Sequence, residues 1–285
     1  MKTENGFKTF SLSVVWAWMF LFALLPFCLI LGASFLSHSD NALLQLPLTL
    51  QSYQQLYNSI YLKIFENSVF IAGISTLLCL LIGYPFAYII TRMHGLWKSF
   101  CLMLVIIPFW TSSLIRSYAL IAIIKGKGVL NTLLIALGMI HDPLPLLFTN
   151  TAVVIGLVYN LLPFMILPIM TNIERLDYKL VDAARDLGAN RFTTFRRVII
   201  PLSMPGIIAG SILVFLPAMT LFYIADILGG AKSILAGNLI QNKFLIAENW
   251  PMGSALSIVM TMMLIALILI YLWVSRGGNN KGEWL

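Results

Sequence analysis

The sequence predicts an all-α integral membrane protein with six transmembrane helices and two short helices in a cytoplasmic loop. Hydrophobic residues make up 60% of the 285 positions, whereas charged residues make up 10%. Soluble domains contain roughly 45–50% apolar and about 25% charged residues, so this chain has too few polar residues to cover a soluble globular domain. Six apolar runs are each long enough to cross the hydrocarbon core, which takes about 20 helical residues.

The six predicted spans form one transmembrane domain over residues 1–285. The first follows Lys2 and Lys8, as in a signal peptide, but its apolar run is longer than a signal-peptide core, and we expect a retained helix. An apolar stretch from Val129 to Ile140 is too short to span and predicts an interfacial or re-entrant helix. The spans are predicted at residues 12–35, 67–91, 99–123, 149–171, 204–227 and 252–274.

The basic residues predict that both termini are cytoplasmic. In this orientation 12 of the 18 lysines and arginines fall in cytoplasmic segments, five fall in outer segments, and Arg116 lies within the third span. An excess of Lys and Arg on the cytoplasmic side is the main orientation signal of membrane proteins. The net charge of +7 is therefore largely an orientation signal and does not predict a nucleic-acid partner.

The sequence carries no pattern of a metal, cofactor or catalytic site. Cys28, Cys79 and Cys101 each lie in an apolar run, and the three histidines lie in separate loops without metal-ligand spacing. No G-x-x-x-x-G-K-[ST] motif is present to hold nucleotide phosphates. An intramembrane protease is disfavoured, because no histidine lies in a span and no G-x-G-D motif supplies paired aspartates. We therefore expect no metal, no bound cofactor and no enzymatic activity in this chain.

The longest cytoplasmic loop, residues 172–203, contains two short helical patterns around a glycine. Asp177 can cap the first helix, Gly188 suits its C-terminus, and Asn190 can cap the second. Pro201 is expected to limit continuation of the second helix toward the fifth span. From the residues alone, this loop is either a knob that packs against another protein or a helical hairpin that lies on lipid.

The loop contains Asp182-Ala-Ala-x-x-x-Gly188-x9-Val198-x-Ile200-Pro201, which resembles the EAA loop of ABC importer permeases. That family reads Glu-Ala-Ala-x3-Gly-x9-Ile-x-Leu-Pro, so the first position differs by having Asp. In the family the loop inserts into a cleft of a cytoplasmic ATPase. The resemblance therefore implies a type I ABC importer permease fold, with one permease domain over residues 1–285 and the two loop helices as coupling helices. It also implies a role in ATPase coupling for Asp182, Ala183, Ala184 and Gly188.

Residues 107–118, 182–188 and 221–230 also resemble the B-type permease subunits of bacterial spermidine/putrescine importers, and the resemblance covers nearly the whole chain. It implies half of a transmembrane path for polyamines in a bacterial inner membrane. The implied partners are a second permease subunit, two ATPase subunits that use ATP, a periplasmic polyamine-binding protein and membrane lipid. An importer permease for another small solute is the alternative, as is a stand-alone secondary carrier, although the sequence shows no inverted repeat.

Asp226 is the leading candidate for contact with a cationic substrate. It lies near the outer end of the fifth span, with Phe222 and Tyr223 four and three residues earlier on the same helical face. A carboxylate pairs with an ammonium group, and aromatic faces attract cations. The alternative is an interfacial position at the headgroup level. Further candidates for the substrate path are Trp110, Tyr88, Tyr159 and Glu248.

Two other features of the spans are interpreted as structural. Arg116 cannot attract a polyamine, and we expect it to pair with a carboxylate of a partner subunit or to reach the outer interface. Gly206 and Gly210 form a G-x-x-x-G pattern that allows close helix approach, so we expect them to serve helix packing.

Overall fold

The chain is almost entirely helical in the computed structural model, which describes residues 2–39, 42–230 and 233–279. π-helical turns at Phe20–Leu24, Phe195–Ile199 and Ala225–Gly229 join or follow some of the helices. In chain order the other elements are α1 (Lys2–Met19), α2 (Leu25–Ala33), β1 (Ser37–Ser39), β2 (Ala42–Gln45), α3 (Gln51–Leu56), α4 (Ser59–Arg92), α5 (Leu96–Trp110), α6 (Ser113–Ile124), α7 (Val129–Ala136), α8 (Asn150–Glu174), α9 (Tyr178–Asp186), α10 (Arg191–Thr194), α11 (Ile200–Thr220), α12 (Phe222–Ile224), α13 (Ala236–Leu245) and α14 (Trp250–Asn279).

Six helical segments of the described residues are long and apolar enough to cross a membrane, which confirms the predicted number. They are identified as candidate spans by their length and composition alone. The segments are Phe10–Ala33, Ser59–Arg92, Ser113–Ala136, Asn150–Glu174, Arg191–Thr220 and Trp250–Ile270.

The third predicted span, residues 99–123, covers two helices instead of one. α5 ends at Trp110 and α6 begins at Ser113. Thr111 is extended, and both its backbone N–H and its hydroxyl donate to the carbonyl of Pro108, at 3.3 and 2.8 Å. A local side-chain bond of this kind competes with the helical pattern. The 15 residues of α5 measure about 22 Å, less than the roughly 30 Å of the hydrocarbon core.

The fifth predicted span, residues 204–227, begins and ends elsewhere. Helical structure runs from Arg191 through the π turn into α11, and it stops at Thr220. The expectation that Pro201 limits this continuation is wrong. Pro201 occupies the second position of α11, and the π turn before it is closed by a hydrogen bond from Ile200 N to Phe195 O. The π turn lies just before Pro201 and changes the hydrogen-bond pattern at the position where proline lacks its N–H, so the helical structure continues past it.

Two compact units make up the chain, namely Met1–Leu62 with Leu239–Ile265, and Lys63–Asn238 with Ala266–Leu285. In the first unit the antiparallel strands β1 and β2 pair Ser37 with Gln45, and Ser34 Oγ lies 2.8 Å from the Tyr53 hydroxyl. Also in this unit, the rings of Phe244 and Trp250 pack edge to face at 5.9 Å. The single permease domain over residues 1–285 stays a prediction.

The second unit is built on the close packing of α8 and α11. A Cβ on Gly206 would lie 2.7 Å from Asn172 Cβ and 2.9 Å from the Pro168 carbonyl oxygen. A Cβ on Gly210 would lie 2.9 Å from Met165 Sδ. Neither position has room for a side chain, so the packing role of the G-x-x-x-G pattern is confirmed.

We expect Gly206→Ala to lower the stability of the chain by about 1–3 kcal/mol, the usual cost of overpacking a filled interface. Gly73→Ala in α4 is the matched control, because a Cβ there has no atom within 4 Å. The control is expected to be neutral or to gain about 0.5–1 kcal/mol from helix propensity. The measurement is the Tm of each purified variant in detergent. An unchanged Tm for Gly206→Ala would contradict the close packing of α8 and α11.

Candidate functional site

The loop between α8 and α11 carries α9, and this helix begins and ends as predicted. Asp177 Oδ1 accepts a hydrogen bond from the backbone at the start of the helix, at 3.0 Å. Gly188 follows the helix with φ +84°, and its N–H donates to Arg185 O at 2.8 Å. Ala189 N donates to Ala184 O at 3.0 Å, which completes a Schellman motif. The predicted Asp177 cap and Gly188 terminus are therefore confirmed.

α10 is capped by Asn190, also as predicted, and the turn that follows it packs on α4. Asn190 Oδ1 accepts from Thr193 N at 2.8 Å. The ring of Phe195 lies edge to face against Tyr84 and Tyr88, with ring centroids 5.8 and 5.5 Å apart. These aromatic contacts attach the loop to the end of a membrane-spanning helix.

Small residues and exposed apolar side chains form the surface of this loop. Leu187 is 89% exposed and Phe192 is 71% exposed. Exposed apolar groups that lie together mark surfaces for contact with protein or membrane. The residues predicted to couple to an ATPase reach the same surface. Ala184 is partly buried, and Asp182, Ala183 and Gly188 are exposed.

Arg92, at the C-terminus of α4, holds α9 against the span. Its Cζ lies 5.1 Å from the ring centroid of Tyr88 and 5.2 Å from that of Tyr178, and its Nη2 donates to the Tyr88 hydroxyl at 3.0 Å. The sequence predicts Tyr88 on the substrate path. The structure places its side chain beside the loop, in contact with Arg92 and Phe195, and its role in a substrate path stays a prediction.

Contacts at the two ends of α8 show that the loop and the Asp226 segment lie far apart. At one end Glu174 forms a salt bridge of 2.8 Å with Lys98. At the other end Phe148 N, two residues before α8, donates to Leu228 O, two residues after Asp226, at 2.9 Å. The 25 residues of α8 measure about 37 Å, the thickness of a bilayer core with part of its interfaces.

Asp226 lies in a short helical segment that is separated from α11 by Leu221. Its Oδ1 accepts a hydrogen bond of 2.5 Å from Asn238 Nδ2. Asn238 is 5% exposed, and the same nitrogen donates to Phe222 O at 2.9 Å. Asp226 itself is exposed, and it forms no salt bridge within 4.0 Å with a described residue. Its carboxylate is therefore held by a neutral donor, and no described residue neutralises its charge.

The two predicted aromatic neighbours of Asp226 lie in the same segment. The rings of Phe222 and Tyr223 pack edge to face at 6.1 Å, and Tyr223 donates its hydroxyl to Ser113 Oγ at 3.0 Å. The three residues thus lie in one short segment, and their common face and what they bind stay predictions. Ser113 and Asn238 were not predicted, because nothing in their flanking sequence marks them as partners of this segment.

The remaining candidates for the path have separate surroundings. Trp110, at the end of α5, is 82% exposed. Tyr159 on α8 is half-exposed, and its ring centroid lies 6.0 Å from Arg116 Cζ. Arg116 Nε and Nη1 are buried without a hydrogen-bond partner among the described residues. Glu248, in the first compact unit, is exposed in the turn before α14 with φ +48°.

Residues 80–277 match the family of binding-protein-dependent transport system inner membrane components, which is more than half of the chain. The chain belongs to this family. It is therefore a multi-pass inner-membrane component of a transport system. Its family is one of transport components and not of enzymes.

Three curated relatives extend this similarity over most of the chain. The spermidine/putrescine transport system permease protein PotB of Haemophilus influenzae is 48% identical over 280 residues, 98% of each chain. PotB of Escherichia coli is 47% identical over 266 residues, 93% of this chain and 97% of its own. The inner membrane ABC transporter permease protein YdcU of E. coli is 32% identical over 238 residues, 79% of this chain and 75% of its own.

Solved structures confirm the predicted type I ABC importer permease fold. A crystal structure of a bacterial ABC transporter involved in the import of the acidic polysaccharide alginate matches with a TM-score of 0.78 at 16% identity, over 96% of both chains. The alginate transporter in complex with an alginate pentasaccharide-bound periplasmic protein matches with a TM-score of 0.77 at 15% identity, over 94% of this chain and 93% of that one. At these identities the likeness concerns the fold alone.

Proposed function

We propose that the chain is a permease subunit of an ATP-driven importer and forms half of the path for polyamines such as spermidine and putrescine. The main support for polyamines as the substrate class is the 48% identity to a spermidine/putrescine permease over 98% of both chains. The Asp226 segment supports it independently, since an ionised carboxylate beside two aromatic rings is suited to an organic ammonium group.

The proposed assembly contains a second homologous permease, two cytoplasmic ATPase subunits and a periplasmic polyamine-binding protein. The family is named for its dependence on a binding protein. The loop supports an ATPase partner, because it presents Leu187, Gly188 and Phe192 to the outside of the chain. The sequence has no P-loop motif, so ATP is used by the partner and this chain binds no cofactor.

Asp226 provides the charge and Asn238 fixes its position in the proposed path. A neutral amide donor orients the carboxylate without cancelling its charge, which leaves the second oxygen for an ammonium group. Ser113 holds the Tyr223 ring through its hydroxyl. A polyamine carries several ammonium groups, so one carboxylate supplies one contact, and further contacts come from the second permease.

Both termini and the α9–α10 loop are proposed to be cytoplasmic. To test this, Leu187→Cys and Ile246→Cys are introduced separately after Cys28, Cys79 and Cys101 are replaced by Ser. Both side chains are largely exposed. With a membrane-impermeant maleimide on intact cells, we expect labelling of Ile246→Cys, and of Leu187→Cys only after lysis. The reverse pattern would invert the topology.

Gly188→Leu is expected to abolish polyamine uptake and ATPase co-purification together. A leucine at φ +84° costs about 1–2 kcal/mol of backbone strain and adds a bulky group to the docking surface. Gly138→Leu is the matched control. Gly138 ends α7 in a Schellman motif with the same hydrogen bonds and φ +69°, and a Cβ there also meets nothing within 4 Å.

The control carries the same strain outside the loop, so we expect it to retain uptake and ATPase binding. Equal losses in both variants would assign the effect to backbone strain. Normal uptake by Gly188→Leu would exclude the docking role of the loop.

Asp226→Asn is expected to weaken the apparent polyamine affinity roughly 10- to 150-fold, which corresponds to about 1.5–3 kcal/mol for a charge-assisted hydrogen bond. Asparagine keeps the size of the side chain and an oxygen that can accept from Asn238. The measurement is uptake against radiolabelled spermidine or putrescine concentration, corrected for the amount of assembled complex.

Asn238→Ala is the structural control for Asp226. It removes the hydrogen bond to Asp226 and leaves the charge in place. We expect lower protein yield but a much smaller change in affinity than in Asp226→Asn. If Asp226→Asn assembles normally and matches the wild type in half-saturation and maximal rate, the carboxylate does not contact the substrate.

A further inference from the structure

A cavity of about 750 Å3 opens beside the loop, between the end of α4 and the start of α10. Three of its lining residues are arginines, Arg92, Arg185 and Arg191, and no described acidic residue lines it. Its volume falls in the range of roughly 300–1,000 Å3 that is usual for ligand sites. The cavity therefore has the size and the charge of an anion site.

The positive charge of this cavity is poorly neutralised within the described part of the chain. Arg92 and Arg191 have no carboxylate within 4.0 Å. Arg185 lies 3.7 Å from Asp182, and both side chains are about half-exposed or more, so their attraction is weak. Glu174, at the end of α8, is paired with Lys98. An anion that enters the cavity thus competes with no strong internal salt bridge.

Arg92 is held in place without losing its charge. Its guanidinium group lies over the rings of Tyr88 and Tyr178, and one of its five N–H donors is used by the Tyr88 hydroxyl. Cation–π contacts orient an arginine but leave its charge and its other donors for a ligand. The planar guanidinium fork matches phosphate oxygens in particular.

The cavity lies at the depth where a span ends. Tyr88 and Arg92 belong to the last turns of α4, a membrane-spanning helix by length and composition. Phospholipid headgroups lie at this depth, and basic pockets between membrane helices bind anionic headgroups. Leu187 and Phe192, the exposed apolar residues of the loop, do not line the cavity. Arg185 and Ala189 line the cavity beside Ala184 and Gly188, so the cavity borders the surface assigned to the ATPase without including Leu187 or Phe192.

We propose that this cavity binds the phosphate group of an anionic phospholipid such as phosphatidylglycerol. The bonds are charge-assisted hydrogen bonds from the three arginines to phosphate oxygens. Free inorganic phosphate offers the same chemistry from solution. The site is independent of the polyamine path and concerns how the loop is held at the membrane surface.

The test uses the full-length chain, purified in an uncharged detergent, and calorimetric titration with three probes. These are dihexanoyl-phosphatidylglycerol, dihexanoyl-phosphatidylcholine and inorganic phosphate. We expect the wild type to prefer phosphatidylglycerol to both of the others. Arg185→Gln with Arg191→Gln is expected to weaken that binding roughly ten-fold or more, because two charge-assisted contacts are lost.

Arg196→Gln with Arg197→Gln is the matched control. It removes the same charge from exposed positions in the next turn that do not line the cavity, and we expect little change in affinity. Each variant is compared only if its Tm matches the wild type. Arg185→Lys with Arg191→Lys keeps the charge without the fork and is expected to bind with intermediate affinity.

The proposed site would be contradicted if the wild type bound phosphatidylglycerol and phosphatidylcholine with equal affinity. It would also be contradicted if both double Gln variants lost the same affinity for phosphatidylglycerol. If inorganic phosphate bound as tightly as phosphatidylglycerol, the ligand would be free phosphate and not a phospholipid. Loss of lipid binding when the ATPase subunits are added would show that the cavity is a protein-docking surface instead. Polyamine uptake is not the readout, so failure here is distinguishable from failure of the proposed function.

Discussion

The close approach of α8 and α11 is the constraint on which the second unit depends. Gly206 brings the backbone of α11 against Pro168 and Asn172 at one end of the pair. Toward the other end, Gly156 of α8 is covered by Leu228 and Ile224 of the Asp226 segment. The loop connects the same two helices. Because packed interfaces have no free volume to absorb a displacement, movement of the loop by an ATPase would reach the Asp226 segment through this pair.

Hydropathy predicted the number of spans but not the breaks within them. A span is recognised by its mean composition, and the third span stays apolar on both sides of Thr111. The break depends on two hydrogen bonds to one carbonyl, which composition does not report. At Pro201 the sequence indicated a break, but the helical structure continues. The missing N–H of Pro201 falls in the first turn of α11, where a π turn already alters the hydrogen-bond pattern.

The loop was more predictable from sequence than the proposed substrate path. Asp177, Gly188 and Asn190 act on backbone groups within a few residues of themselves, so local patterns identify them. The path depends on contacts over long separations, such as Tyr223 with Ser113. The contacts of Tyr88 with Arg92 and Phe195 likewise could not be predicted from its position along a span. Asn238, which orients Asp226, has no distinguishing neighbours in the sequence.

The ionisable groups of the second unit suggest why such a chain functions as part of an assembly. Asp226 and Arg116 carry opposite charges, yet they form no salt bridge within 4.0 Å. Arg116 Cζ lies 6.0 Å from the ring centroid of Tyr159, and the Asp226 carboxylate accepts from the neutral amide of Asn238, so neither contact supplies an opposite charge. Direct pairing of the two would stabilise the isolated chain but would also neutralise the carboxylate. Their separation leaves Asp226 without a described cationic partner, as the proposed contact with an ammonium group requires, since a contact that must form and break during transport cannot already be satisfied within the protein.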